Sequence, residues 1–194
     1  MEVMETRKRY INNNMKTFKQ YITESFDSGT IQTSDIPYNI TTIVKQVQNV
    51  IPKDILNTKY DEKNWIENGL QKKHHLTILY GIDDKDENKI KDIVKKYDDI
   101  KLSVKDINYF DNRKKSGTIV LKLDCESPEL KKLHTELKNK IPNKHKYDFK
   151  PHITIAFLKD FLPKEIEDKL PPIEKEFKID DIEISTKQGK IKKI

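Results

Sequence analysis

Two triplets of one type, His75-Leu76-Thr77 and His152-Ile153-Thr154, lie inside apolar runs reading HLTILYG and HITIAFL. Each run alternates as a β-strand does, so a histidine and a threonine two residues apart point to one face. On the first run His75, Thr77 and Leu79 oppose Leu76, Ile78 and Tyr80. On the second, His152, Thr154 and Ala156 oppose Ile153, Ile155 and Phe157. Two imidazoles and two hydroxyls delivered by matching strands suit a phosphodiester. One imidazole takes a proton while the other donates one, and the hydroxyls hold the phosphate oxygens.

The competing explanation is that both strands are simply core strands whose histidines are hydrogen-bonded. It leaves two inward polar pairs on apolar strands unexplained, where unpaired polar groups are costly. The chain has only five histidines, so a matched repeat is informative. His74 belongs on the opposite face from His75. His134 adjoins a helical apolar stripe and reads as structural, and His145 sits in the polar loop NKHKYD. No HExxH, CxxC or paired Asp cluster accompanies the motif histidines, so no metal site is expected. With five glycines there is no phosphate-cradling or dinucleotide glycine motif, and no cofactor is expected.

The elements that must carry these residues are legible in outline. A strand is expected at Gly29–Thr33, then a helix capped by Thr41 or Thr42 with Ile43, Val44, Val47, Val50 and Ile51 on one face. Residues 57–73 read as a long loop containing Trp65 and Gly69, leading to the first motif strand. A helix over 86–97 buries Ile90, Ile93, Val94 and Tyr97. Strands at Ile100–Phe110 and Gly117–Asp124 flank the turn-rich DNRKKSG. Ser127-Pro128 starts a helix lined by Leu130, Leu133, Leu137 and Ile141. The second motif strand follows Pro151, then a short helix at 163–170 and a last strand at 176–185. Each motif strand is thus preceded by a strand–helix unit, the outline of a structural pseudo-repeat.

Composition bounds the rest. The 194 residues are most simply one folded domain after an N-terminal extension, 1–27 and 28–194, and 36% of them are charged. The formal charge of +6 favours an anionic ligand, although Arg7, Arg9 and Arg113 are the only arginines and no basic stripe dominates. Cys125, the only cysteine, ends the run TIVLKLDC and reads as structural; a reducing compartment fits. No stretch approaches the ~20 apolar residues of a membrane span, and MEVMETRKRY lacks the apolar core of a secretory signal. A cytoplasmic protein is expected, with no membrane partner and no stable duplex nucleic acid.

With its two His-x-Thr motifs the chain resembles the 2H phosphoesterase superfamily. Within it, IPKDIL at 51–56, GLQKKHHLTILYG at 69–81, DINYF at 106–110 and YDFKPHITIAFLKD at 147–160 resemble phage-encoded anti-CBASS nucleases, which degrade cyclic oligonucleotide immune messengers. The resemblance implies an α+β, bilobal 2H phosphoesterase fold: two antiparallel-sheet lobes with outer helices around a central cleft. It implies catalytic roles for His75, Thr77, His152 and Thr154 in metal-independent cleavage of 3′–5′ bonds in cyclic di- or trinucleotides. The alternative within the superfamily is an enzyme of RNA ends, a 2′,3′-cyclic or 2′–5′ phosphodiesterase or RNA ligase. Tyr109 and Phe110 are candidate base-stacking platforms, of which strand alternation sends one toward the core.

Overall fold

A computed structural model of the chain describes residues 28–61, 65–186 and 190–194. The N-terminal extension, residues 1–27, lies outside the described residues. The described strands form one curled antiparallel sheet, a half-barrel backed by a few helices. In chain order they are β1 (Gly29–Thr33), β2 (Ile66–Glu67), β3 (Leu70–Gln71), β4 (Leu76–Ile82), β5 (Ile100–Asp111), β6 (Ile119–Glu126), β7 (His152–Leu158), β8 (Lys175–Ile179), β9 (Glu183–Ser185) and β10 (Ile191–Lys193). The order across the sheet is β10-β9-β1-β4-β7-β6-β5-β8, with β3 pairing both β2 and the edge of β7.

The centre of this order is its weak point. β4 and β7 are joined at the single position Leu76↔Ile153, whereas β5 pairs β6 and β6 pairs β7 over long registers. The sheet therefore divides into two lobes, β10-β9-β1-β4 and β7-β6-β5-β8 with the β2–β3 hairpin on β7, and the seam falls one residue beyond each motif histidine. In each lobe the motif strand pairs with the strand of its own strand–helix unit, β4 with β1 and β7 with β6. The expected pseudo-repeat is there.

The helices tie the lobes together. Helix α1 (Tyr38–Val50) buries Ile40, Val44 and Val47, and α4 (Pro128–Lys140) buries Leu130, Leu133, His134 and Leu137. Each reaches across to the other lobe's motif strand. Gln48 on α1 donates its amide to the Ile155 carbonyl of β7 at 2.8 Å, and His134 on α4 donates Nδ1–H to the Ile78 carbonyl of β4 at 2.7 Å. Both acceptors lie three residues past the motif histidine of their strand. Leu76, Ile78, Ile153 and Ile155 face the helices and join one continuous apolar core spanning both lobes. Burying side chains of this size is worth ~1.5–3 kcal/mol each, which offsets the thin β4–β7 ladder.

Several local expectations need correction. Helix α1 begins at Tyr38 after Pro37, not at a threonine cap. The Thr41 and Thr42 hydroxyls instead donate back to the Tyr38 carbonyl at 3.0 and 2.8 Å, and Val50 is exposed. The loop at 57–73 holds the β2–β3 hairpin, anchored by the Asp61 carboxylate, which accepts the Asn68 and Gly69 N–H groups. Helix α2 (Glu87–Val94) stops before Tyr97, which is only partly buried, and DNRKKSG contains a helical turn, α3 (Arg113–Ser116). The short late helix is α5 (Lys164–Glu167).

The expected last strand, 176–185, is two strands on opposite lobes: β8 edges β5, and β9 pairs β1. The buried positions shift phase between Phe177 and Ile179 on one side and Ile182 and Ile184 on the other. A slip of one residue turns every later side chain to the other face, and Asp180-Asp181 mark where the chain crosses over. A further strand, β10, pairs β9.

Candidate active site

The alternation that sends Leu76 and Ile153 to the helices sends the motif histidines and threonines to the opposite face of the sheet. Counted along the antiparallel strands from Leu76↔Ile153, His75 lies level with Thr154 and Thr77 with His152. The four side chains form a crossed square over the seam, all of them half-buried. Both rings are held in one way. His75 Nδ1 is 3.1 Å from the Lys73 carbonyl, and His152 Nδ1 is 2.8 Å from the Lys150 carbonyl. A carbonyl only accepts, so Nδ1 carries the proton in the neutral rings and Nε2 is left to exchange one. Neither threonine hydroxyl has a hydrogen-bond partner among the described residues.

The two histidines meet different surroundings. On β6, Asp124 lies opposite His152 and Lys122 opposite Thr154. The Lys122 ammonium is ion-paired to Asp124 and lies 4.3 Å from the Phe110 ring centre, and Phe110 meets His152 edge-on at 4.8 Å. Burial above all, with Lys122 and His75 adding to it, pushes His152 down to about 4. On the other lobe Gln32 lies opposite Thr77 and Glu183 opposite Gln32. Glu183 is buried, accepting from the Gln32 amide at 2.9 Å and from the Ser34 hydroxyl. Burial lowers His75 as well, opposed by its bond to the Lys73 carbonyl and by the Glu183 charge. Both rings are neutral in the free protein at pH 7.

One wall of the cleft is aromatic. Trp65, delivered by the β2–β3 hairpin, meets His75 edge-on at 5.4 Å and carries the Lys73 ammonium 5.1 Å from its ring centre. Trp65 and Phe110 both pack against a small apolar cluster of Tyr60, Ile66, Val120 and Phe157. That cluster belongs to the β7 lobe and its hairpin, and through Trp65 and Phe110 the wall built on it touches both histidines. No group of three or more His, Cys, Asp or Glu side chains able to hold a metal occurs among the described residues.

Residues 70–190 match the 2′-5′ RNA ligase superfamily. The chain belongs to that superfamily, whose members are 2H phosphoesterases. Solved structures share the fold at low identity. The protein TT0787 of Thermus thermophilus is 17% identical, with a TM-score of 0.52 over 81% of this chain and 86% of that one. LigT of E. coli, complexed with NADP+, is 13% identical with a TM-score of 0.53 over 86% and 92%. Usb1 of Kluyveromyces marxianus, with uridine monophosphate, is 8% identical with a TM-score of 0.54 over 87% and 98%. No curated protein sequence matches the chain.

Of the side chains singled out from sequence, the superfamily fold brings His75, Thr77, His152, Thr154 and Phe110 to one cleft. Tyr109 is not among them. Its hydroxyl donates to Glu167 at 2.7 Å, its ring meets Phe161 edge-on at 5.0 Å, and burial with Glu167 raises its pKa. Tyr109 secures the short helix α5 on the far face of β5 and is withdrawn as a stacking platform. Sequence reasoning missed Trp65, Lys122, Asp124 and Glu183 as cleft residues. Lys122 had a signal, a lone cation inside the apolar run TIVLKLDC. Trp65 had none, since the hairpin presenting it depends on a contact with β7. Cys125 is buried and its thiol is pushed up to about 12, so it stays protonated. Among the described residues no helix is long and apolar enough to cross a membrane.

Proposed function

We propose that this 2H protein is a phosphodiesterase in which His75 and His152 act as an acid–base pair and Thr77 and Thr154 bind the reacting phosphate. The observation that carries it is the crossed square at the seam: two rings with Nδ1 anchored on backbone carbonyls, each level with an unpartnered hydroxyl. One Nε2 removes the proton from a ribose 2′-hydroxyl, whose oxygen attacks phosphorus. The bond from phosphorus to the 5′ oxygen breaks, and the other ring protonates that oxygen as it leaves. The threonine O–H groups donate to the non-bridging oxygens as charge grows there. Such paired proton transfer contributes ~10²–10⁴-fold per group.

The substrate class we favour is a cyclic di- or trinucleotide messenger, with the protein opening the ring in a host cytoplasm on behalf of a phage. The resemblance at 51–56, 69–81, 106–110 and 147–160 supports this, as does the aromatic wall of Trp65 and Phe110 beside both histidines. Base–aromatic stacking is worth ~1–3 kcal/mol per base. The RNA-end reading is supported by the superfamily's own description and by the uridine monophosphate held by Usb1. A substrate panel read by mass spectrometry separates them: 3′,3′-cyclic GMP-AMP, cyclic trinucleotides, linear 2′–5′ oligoadenylate and 2′,3′-cyclic AMP, each with EDTA present. Ring opening is expected with the cyclic oligonucleotides. Turnover of the linear or terminal substrates alone overturns the messenger reading and favours RNA ends.

A further inference from the structure

We propose that Lys122, clamped by Asp124 beside His152, fixes the direction of proton transfer in the cleft, so that His152 accepts the proton and His75 delivers it. The assignment rests on the phosphodiesterase reading above and gives its two histidines distinct roles.

The Lys122 side chain is 3% exposed, an unusual place for an ammonium group. Asp124 answers its charge, and Asn108 ties the second Asp124 oxygen at 2.8 Å, so both oxygens of that carboxylate are engaged by groups other than the imidazole. Phe110 completes the enclosure, with the ammonium over its face and its own edge on His152. The register places this cation level with Thr154 and its partner level with His152. His75 lacks such a neighbour on β1, where Gln32 is an uncharged amide. The buried charge on its side is the carboxylate of Glu183.

A fixed cation disfavours a second positive charge nearby, and a fixed anion favours one. The ionisable groups facing His152 are Lys122 and Asp124 from β6 and His75 just before β4. Those near His75 are His152 across the seam and Glu183 from β9, with His74 next to it in the chain and the Lys73 ammonium beyond the Trp65 ring. Lys122 thus biases His152 toward the neutral acceptor, and Glu183 biases His75 toward the protonated donor. The remaining Lys122 N–H groups have no partner among the described residues, so they can also meet a non-bridging oxygen once substrate is bound.

The pH dependence of kcat/KM follows. Activity rises with pH as the base loses its proton, near about 4 for His152. It falls as the acid loses its own, below the ordinary histidine value of 6.5 that burial lowers for His75. A bell of this shape does not say which ring is which, so the deciding measurement is an NMR titration of the ring Cε1–H signals in the substrate-free full chain. Lys122→Met is expected to raise the His152 midpoint by about one pH unit and leave His75 in place. The acidic limb of kcat/KM should move up with it, and Lys122→Arg should restore both. If Lys122→Met does not fold, Lys122→Met with Asp124→Asn removes both buried charges together, and a smaller rise is expected. An unmoved His152 midpoint, or movement of His75 instead, overturns the proposal. The titration needs no substrate. Retained turnover in His75→Ala or His152→Ala would sink the phosphodiesterase reading while leaving the titration result intact.

Discussion

Two histidine pairs lie on opposite faces of one sheet. His152 in the cleft and His145 behind it are both pushed down to about 4, chiefly by burial. A depressed value therefore does not separate them. Hydrogen bonding does. The cleft rings each spend Nδ1 on a carbonyl two residues back, and among the described residues their Nε2 atoms have no hydrogen-bond partner. Behind the sheet, His134 spends Nδ1 on Ile78 and stacks on Phe149 at 4.1 Å and 3°. His145 sits edge-on to His134 at 4.9 Å and against Tyr80 at 4.8 Å, with neither of its own nitrogens bonded. One pair turns Nε2 toward the cleft; the other fills a wedge between α4 and β4.

Alanine scanning should split the pairs most widely. His75→Ala and His152→Ala are each expected to cut kcat by about 10³-fold or more, with small changes in Tm. His134→Ala should leave kcat per folded molecule nearly unchanged and cost about 2–3 kcal/mol of stability, through a buried carbonyl left unpaired and a ring removed from the core. Denaturant midpoints and initial rates on the four proteins make the comparison. An equal loss of turnover in His134→Ala would erase the distinction.

The cleft pair was legible because its signal is local: a period of two, a polar pair on an apolar strand, and a second copy. The rear pair was half legible. His134 reads as structural from its position beside Leu130, Leu133 and Leu137, but nothing near it in sequence announces Ile78 or Phe149. Long-range pairing explains the other misses too. The break between β8 and β9 lies in a phase slip that a continuous strand reading of 176–185 passes over. The start of α1 is set by Pro37 and by threonines bonding backward, and Trp65 reaches the cleft only because Leu70 pairs with Ala156 of β7.

The loop carrying His145 offers a second way to separate the faces. Gly81, at φ +80°, ends the first motif run, and its carbonyl accepts the Lys144 N–H at 3.1 Å. A Cβ there would lie 2.6 Å from Lys144 Cβ and 2.7 Å from its backbone nitrogen. Backbone cannot rotate away as a side-chain tip can, and the left-handed conformation itself disfavours a Cβ. Gly81→Ala is expected to cost about 2–4 kcal/mol, read as a lower denaturant midpoint. The same loop ends at Lys150, whose carbonyl orients His152. A displaced loop should therefore lower kcat as well, a coupling that His134→Ala lacks. Gly81→Ala with full stability would mean the loop yields freely.

The smallest effect concerns acid. His145 is neutral when folded down to about 4, while in the unfolded chain it titrates near 6.5. Between those values the unfolded state binds the extra proton, so stability falls as pH drops from 6.5 toward 4 and is retained above 6.5. After burial, His134 and then Lys138 add to the penalty on a charged His145, and burial with Lys138 also lowers His134. His145→Phe keeps an aromatic ring between Tyr80 and His134 and removes this proton site. Its stability loss between pH 7 and pH 4.5 should be smaller than that of the parent chain by about 1–2 kcal/mol, measured by urea unfolding at both values. The cleft histidines are lowered too and remain in the variant, so part of the acid sensitivity persists. An unchanged loss would mean that His145 is hydrated in solution and that the rear pair carries no charge penalty of its own.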